Sequence, residues 1–283
     1  EKGYRVGFTG GSDDHKGRPG AAHPGSGSFG VYGGLTCIWA EELTREGLWK
    51  ALKARRCYGT TGQRIRLEVT ADGQPMGAEF IADGPPKIAV KVWGTAPIER
   101  VDVFRGLEQV YSYPEEIARA EDRVRVAWSG QRIRARNRLV CWDGGLTLDR
   151  GQILAVEGYA FDSASEGIAE TSEQSVTWQS VTTGDADGVV LELDAPDDAL
   201  LSFDTPVVQH TVSLGEIAAG PVVVEAGGID IQVVFEREPL GVGSAVEFCF
   251  QEEELPAGCH PYWVRVVQTD GAKAWASPIY VTV

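Results

Sequence analysis

From Arg64 onward the chain alternates apolar and polar residues with a period of two. Ile65-Leu67-Val69, Ile88-Val90-Val92, Val101-Val103 and Val264-Val266 each place their apolar members on one side of an extended backbone, and Gly or Pro turns separate the runs. A strand that is apolar on one face must bury that face against another layer, so this pattern predicts antiparallel β-sandwich structure. The expected fold class is mainly β. One helix is predicted, over Thr44 to Arg56. Thr44 serves as its N-cap, Leu43 and Leu48 occupy the staple positions, and Leu48, Trp49 and Leu52 give an apolar face. Lys53, Arg55 and Arg56 suit the negative end of the helix dipole, while Gly47 at the third position leaves the capping box incomplete.

Composition narrows the function classes. A chain of 283 residues with 43% hydrophobic content is long enough for one large core or two moderate ones. Its apolar runs, such as Gly220 to Val224, fall far short of the ~20 residues of a transmembrane helix, so no membrane partner is expected. A net charge of −15 opposes binding to a phosphate backbone, which excludes nucleic acid as the expected partner. The charge is uneven: residues 1–62 carry nine Lys/Arg and six Asp/Glu, a net of +3, which leaves −18 for residues 63–283. Two regions of different character are therefore expected. The five cysteines, Cys37, Cys57, Cys141, Cys249 and Cys259, are widely spaced with no Cys-x-x-Cys pair, and read as reduced buried thiols. The first residue is Glu1, and Tyr4 to Thr9 already reads as a strand, so the true N-terminus is expected upstream. Localisation stays open, with the cytoplasm favoured.

Within the acidic region, Arg132, Arg134, Arg136 and Arg138 recur at every second position between the turn signals Ser129-Gly130 and Asp143-Gly144. As a strand this run would place four guanidinium groups on one face. Residues 143–204 carry fourteen acidic residues against Arg150 alone, so the face is expected to be solvated or paired with acidic strands, in preference to binding an anionic partner. An Asp-x-Asp-Gly at Asp185 to Gly188 has the start of a calcium loop without its downstream Glu, and reads as a turn between strands.

The segment with the most chemistry is Gly10-Gly11-Ser12-Asp13-Asp14-His15, at the start of a Gly-, Ser- and Pro-rich loop running from Thr9 to Gly34. A carboxylate and an imidazole two residues apart offer a hard oxygen and a borderline nitrogen to one divalent ion, and the glycines let the chain turn closely around it. Two ligands alone do not make a site. His23 in the same loop reads as solvated, and His210 and His260 have no acidic or histidine neighbour at ligand spacing.

The run Gly11 to Gly20, then Tyr32-Gly33-Gly34-Leu35-Thr36, Trp39-Ala40-Glu41-Glu42, Thr44 to Trp49 and Arg55-Arg56-Cys57-Tyr58-Gly59-Thr60-Thr61-Gly62 resembles the closing segment of PHP-domain (polymerase and histidinol phosphatase type) proteins. The branch it is most similar to includes carbaryl-hydrolase-like metallohydrolases. About sixty residues carry the resemblance, with a weaker echo in Tyr262 to Val266 and Ala274 to Ile279. The resemblance implies a metal-dependent hydrolase of phosphoesters or carboxyl esters, built on a distorted barrel that holds up to three divalent ions (Zn, Mn or Fe). It implies Asp13 and His15 as metal ligands, and Arg18, three residues beyond His15, reads equally as a group that neutralises an anionic substrate or as a loop anchor. The family's earlier motifs, beginning with a His-x-His pair, are missing from this chain. A complete barrel of this general kind needs on the order of 200 residues or more, so the chain alone is expected to be inactive. Its expected partner is an N-terminal fragment, or a second copy that covers Trp39, Leu48, Trp49 and Leu52.

The expected organisation is an incomplete α/β barrel remnant at 1–62, a β-sandwich at 63–113 plus 245–283, and an inserted β domain at 114–244. The rival functional reading is a non-catalytic β-sandwich module that grips carbohydrate or protein through Trp128, Trp142, Trp178, Trp263 and Trp275. That reading requires a row of solvent-facing rings.

Overall fold

The computed structural model describes residues 3–11, 33–134 and 138–283. The chain is mainly β, with several antiparallel sheets, and among the described residues the strands close no barrel. Contacts divide it into two compact units. The first holds residues 3–11, 33–117 and 241–283, and the second holds Ala118–Leu240.

The first unit is a two-layer sandwich. Arg66–Ala71 and Ile88–Trp93 lie in a four-stranded sheet, flanked by Gln74–Pro75 on one side and Ala245–Phe250 on the other. The facing eight-stranded sheet is centred on Cys259–Gln268, which pairs with Ile98–Arg105, Lys273–Ala276 and Ile279–Thr282. Period-two alternation sends Leu67, Val69, Val90 and Val92 from one layer and Val101, Val103, Val264 and Val266 from the other into a single core. Leu35–Ile38 and Cys57–Thr60 pair with each other, and the second pairs with Lys273–Ala276, so part of the expected barrel remnant is hydrogen-bonded into this eight-stranded sheet. Ile279–Thr282 and Glu79–Ile81 run parallel.

The helix runs over Arg45–Lys53, with Thr44 Oγ1 accepting the Gly47 N–H at 3.0 Å. It stops earlier than predicted because Arg55 takes a left-handed conformation (φ 58°). Leu43 is 91% exposed and so makes no staple with Leu48. Ala51 is the buried residue of this helix, while Trp49 and Leu52 remain exposed.

The second unit is also a sandwich. Gln152–Tyr159, Ala186–Asp194, Arg119–Gln131, Ile229–Pro239 and Val222–Glu225 form one five-stranded sheet in that order. Gly167–Thr171, Ser175–Gln179, Gly144–Leu148, Leu200–Asp204 and Gln209–Ser213 form the other. Val126, Trp128, Leu191 and Phe235 meet Leu146, Trp178, Leu201 and Phe203 between them. Trp128 and Trp178 stack at 4.4 Å between ring centroids. A short helix, Leu214–Ala219, starts with a complete capping box between Ser213 and Glu216.

Two expectations need correction here. The described part of 132–138 is not an Arg-lined strand: the strand ends at Gln131, Arg138 has φ 53°, and Arg132 N–H donates to Arg138 O at 3.0 Å, joining the two ends of the segment. Arg132, Arg134 and Arg138 are exposed on it, and Arg136 lies outside the described residues. The arginine face of this unit sits earlier, on Arg119–Gln131. There Arg119 and Arg125 pair with Glu236, and Arg123 pairs with Glu238 and Glu157. The cysteines are free as expected, yet Cys141, Cys249 and Cys259 are exposed, and Cys57 alone is buried.

Candidate functional site

Residues 3–11 approach the first unit as an extended chain that joins no sheet ladder, although their sequence reads as a strand. Side chains replace the ladder. Val6 N–H donates to Tyr280 Oη at 2.8 Å, Tyr280 Oη–H donates to Val6 O at 3.1 Å, and Phe8 N–H donates to Ser277 Oγ at 2.8 Å. Arg5 lies over the Tyr280 ring at 4.6 Å, and Phe8 meets Trp263 edge-on at 5.7 Å. The segment is thus fixed up to the point where the Asp13/His15 loop begins.

Three pieces of backbone converge at that point. Gly10 N–H donates to Thr36 Oγ1 at 3.1 Å, and Thr36 Oγ1–H donates back to Gly10 O at 2.6 Å. Gly34 N–H donates to Gly11 O at 3.1 Å, which joins the outgoing and returning ends of the loop. A Cβ on Gly10 would stand 2.6 Å from Leu35 O, and one on Gly59 would stand 3.0 Å from Gly10 N. Close approach of backbone to backbone therefore calls for glycine at position 10 and leaves little room for a side chain at position 59. The result is a tight neck formed by Gly10, Gly11, Gly34 and Gly59. Asp13, His15, Arg18 and His23 lie outside the described residues. Among the described residues, no group of three His, Cys, Asp or Glu side chains is arranged to hold a metal ion.

Beside the helix Arg45–Lys53 lies a groove of about 480 Å³, lined by Trp39, Glu41, Arg56, Glu68, Val69 and Met76. Trp39 Nε1–H donates to Leu67 O at 3.1 Å. The Arg66 guanidinium sits over both Trp39 and Trp93, at 5.3 and 4.5 Å from their ring centres. Each carboxylate of the groove is already engaged: Glu41 with Arg56 and Lys50, and Glu68 with Arg66. The groove offers an apolar floor and an aromatic wall. Nearby, burial and the Cys37 thiol hold the Tyr58 phenol well above the ordinary tyrosine range.

The tryptophans named as a binding platform are mostly core. Trp128, Trp142 and Trp178 are buried, and their indole N–H groups donate to Ser180 Oγ, Thr182 Oγ1 and Trp142 O. Trp263 is half-buried, stacked on Phe104 at 4.1 Å, and donates to Gly106 O. Among the described residues neither of these two histidines belongs to a metal-ligating group: His260 Nε2 contacts Pro256 O at 2.7 Å, and His210 packs near Phe235 with Glu216 close by. The chain around Asp185 turns as expected, with Thr183 N–H donating to Asp185 Oδ1 and Gly184 N–H to Gly130 O. Sequence reasoning missed that Asp187 is fully buried. The signal was its phase, since Asp187, Val189, Leu191 and Leu193 fall at every second position of one strand.

A family described as a protein of unknown function (DUF3604) matches residues 25–72. An uncharacterised protein of Chlamydia pneumoniae is 38% identical over 86 residues, covering 28% of this chain and 14% of that protein. Uncharacterised proteins of Chlamydia muridarum and Chlamydia trachomatis are 33% identical over 89 residues and 31% identical over 86, again covering 14% of each. The matched part of this chain thus spans a small fraction of those relatives' length. No solved structure matches. The segment matched by the family contains Gly34 and Gly59 of the neck and Trp39, Glu41, Arg56 and Glu68 of the groove.

Proposed function

We propose that this chain is the C-terminal part of a divalent-metal-dependent hydrolase that cleaves a phosphoester or carboxyl ester. Asp13 and His15 act as metal ligands, and Arg18 faces an anionic substrate. The observation that carries this reading is the neck: Gly10, Gly11, Gly34 and Gly59 fix both ends of the one segment whose residues combine a carboxylate and an imidazole at ligand spacing. A rigid base limits the entropy lost when a loop orders around a ligand.

The donor set fits Zn, Mn or Fe, because carboxylate oxygen and imidazole nitrogen both suit these ions. Asp13 and His15 would hold such an ion, which would supply Lewis-acid activation of water and of the substrate's scissile oxygen. Asp13 and His15 supply only part of a four- to six-coordinate sphere, so the remaining ligands come from an upstream segment or another copy. Arg18 orients the substrate through its fixed positive charge. The β region shapes substrate access or assembly.

The rival reading, a carbohydrate- or protein-binding sandwich, loses its main support where Trp128, Trp142 and Trp178 are buried. The test is elemental analysis of the purified chain, with intact mass to detect a co-purifying fragment, beside Asp13→Ala and His15→Ala. Stoichiometric metal lost in both variants is expected. A metal-free chain without a partner fragment would sink the hydrolase reading.

A further inference from the structure

In the second unit the inner face of Ala186–Asp194 carries Val189, Leu191 and Leu193 into the core, and the same alternation carries Asp187 there. Its side chain is fully buried, in register opposite Trp128. Ser180 links the two. Trp128 Nε1–H donates to Ser180 Oγ at 2.7 Å, and Ser180 Oγ–H donates to Asp187 Oδ2 at 2.7 Å. Asp187 Oδ1 is buried and makes no hydrogen bond among the described residues. The charged groups that bear on it are Asp185 from the preceding turn, with Glu166 and Asp162 from the segment after Gln152–Tyr159. All three are acidic. Asp143, which accepts the Ser180 N–H at 3.0 Å, adds a fourth acidic residue beside Ser180. Among the described residues, an ionised carboxylate in this place would have one hydrogen bond and these acidic neighbours.

We propose that Asp187 is carried as a neutral carboxylic acid, and that loss of its proton is a built-in release for the Trp128–Ser180 end of the second unit. Burial pushes the carboxyl up to about 9, against the opposing pull of the Ser180 hydrogen bond. The folded value lies above the ordinary 3.8. The stability that follows is fully present below about pH 4 and is lost progressively as pH rises through about 9. Once ionised, the carboxylate is drawn toward water. Ser180 then loses its acceptor, and the hydrogen bond that holds Trp128 in its stack on Trp178 goes with it. Glu166 is raised in the same direction, by burial first.

The test compares the full chain with Asp187→Asn, a neutral isostere that still accepts from Ser180, by thermal midpoint and tryptophan emission against pH. The wild type is expected to lose midpoint relative to the variant from about pH 5 to about pH 9, with the gap levelling above that. Wild-type emission should change as pH passes about 9 while the variant stays flat. A gap that is constant, or an asparagine chain that is the less stable of the two near pH 8, overturns the proposal. So does calcium chloride that raises the midpoint of the wild type alone, because the carboxylate would then be ionised and held by a cation. If the variant does not fold, difference infrared spectra of the wild type decide. A protonated-carboxyl stretch present at neutral pH and lost by about pH 10 supports the proposal, and its absence at neutral pH overturns it.

Discussion

Both Nε and Nη2 of Arg265 donate to one oxygen of Asp102, Oδ2, at 3.0 and 2.8 Å. Asp102 is fully buried in the large sheet of the first unit, and its other oxygen accepts from Ser112 Oγ at 3.0 Å. Arg100 adds a longer contact to Oδ2 at 3.3 Å. Asp102→Ala would leave the Arg265 guanidinium without its carboxylate, while Arg100 keeps Glu99 at 2.8 Å. Because the Arg265 side chain keeps 31% exposure, the expected loss is about 2–3 kcal/mol, below the ~3–5 kcal/mol of a fully enclosed pair. Urea denaturation measures it, and a loss under about 0.5 kcal/mol would show the network to be dispensable.

Gly10→Ala tests the neck. The new Cβ would stand 2.6 Å from Leu35 O, so backbone must shift, at a cost of about 1–3 kcal/mol. Gly11→Ala is the control, with nothing within 4 Å of its Cβ. The first variant should lose stability, and bound metal where the chain carries it, while the second keeps both. Equal behaviour of the two would remove the neck from the account.

Ser180→Ala removes the hydroxyl shared by Trp128 and Asp187, leaving the buried indole N–H without an acceptor. The expected cost is about 1–3 kcal/mol, with altered near-ultraviolet circular dichroism from the Trp128–Trp178 stack. An unchanged spectrum would mean that packing alone holds the rings.

Thr44→Ala should destabilise the helix Arg45–Lys53 by about 1 kcal/mol, read most directly as faster hydrogen exchange at the Gly47 amide that Thr44 Oγ1 accepts. No change in that exchange rate would assign the helix start to tertiary packing.

The sandwiches were legible because burial on one face imposes a period of two, and Leu67-Val69 or Val90-Val92 show it without interruption. The same period misled at two places. The run 132–138 alternates Arg with other residues just as a strand would, but the strand ends at Gln131, and Arg138 takes a left-handed φ. The arginines that do lie in a strand, Arg119, Arg123 and Arg125, are recognisable only once Glu236, Glu238 and Glu157 are brought beside them by non-local pairing. Tyr4 to Thr9 has strand-like composition, yet Tyr280 and Ser277 meet its N–H groups with hydroxyls. Of the candidate site, the motif could be read locally, whereas the convergence of Gly10, Gly34 and Gly59 depends on segments some 25 residues apart and more, which no local pattern encodes.

Leu240 N–H donates to Ala118 O at 2.8 Å, so the second unit begins and ends at one spot. The first unit, by contrast, builds its large sheet around Cys259–Gln268, the partner of Ile98–Arg105. As the chain emerges from the ribosome, the second unit therefore has every strand it needs once residue 240 is out, while the first still waits for its central strand. The part written in the middle is able to fold first, leaving strands made earlier in synthesis exposed until the last ones arrive.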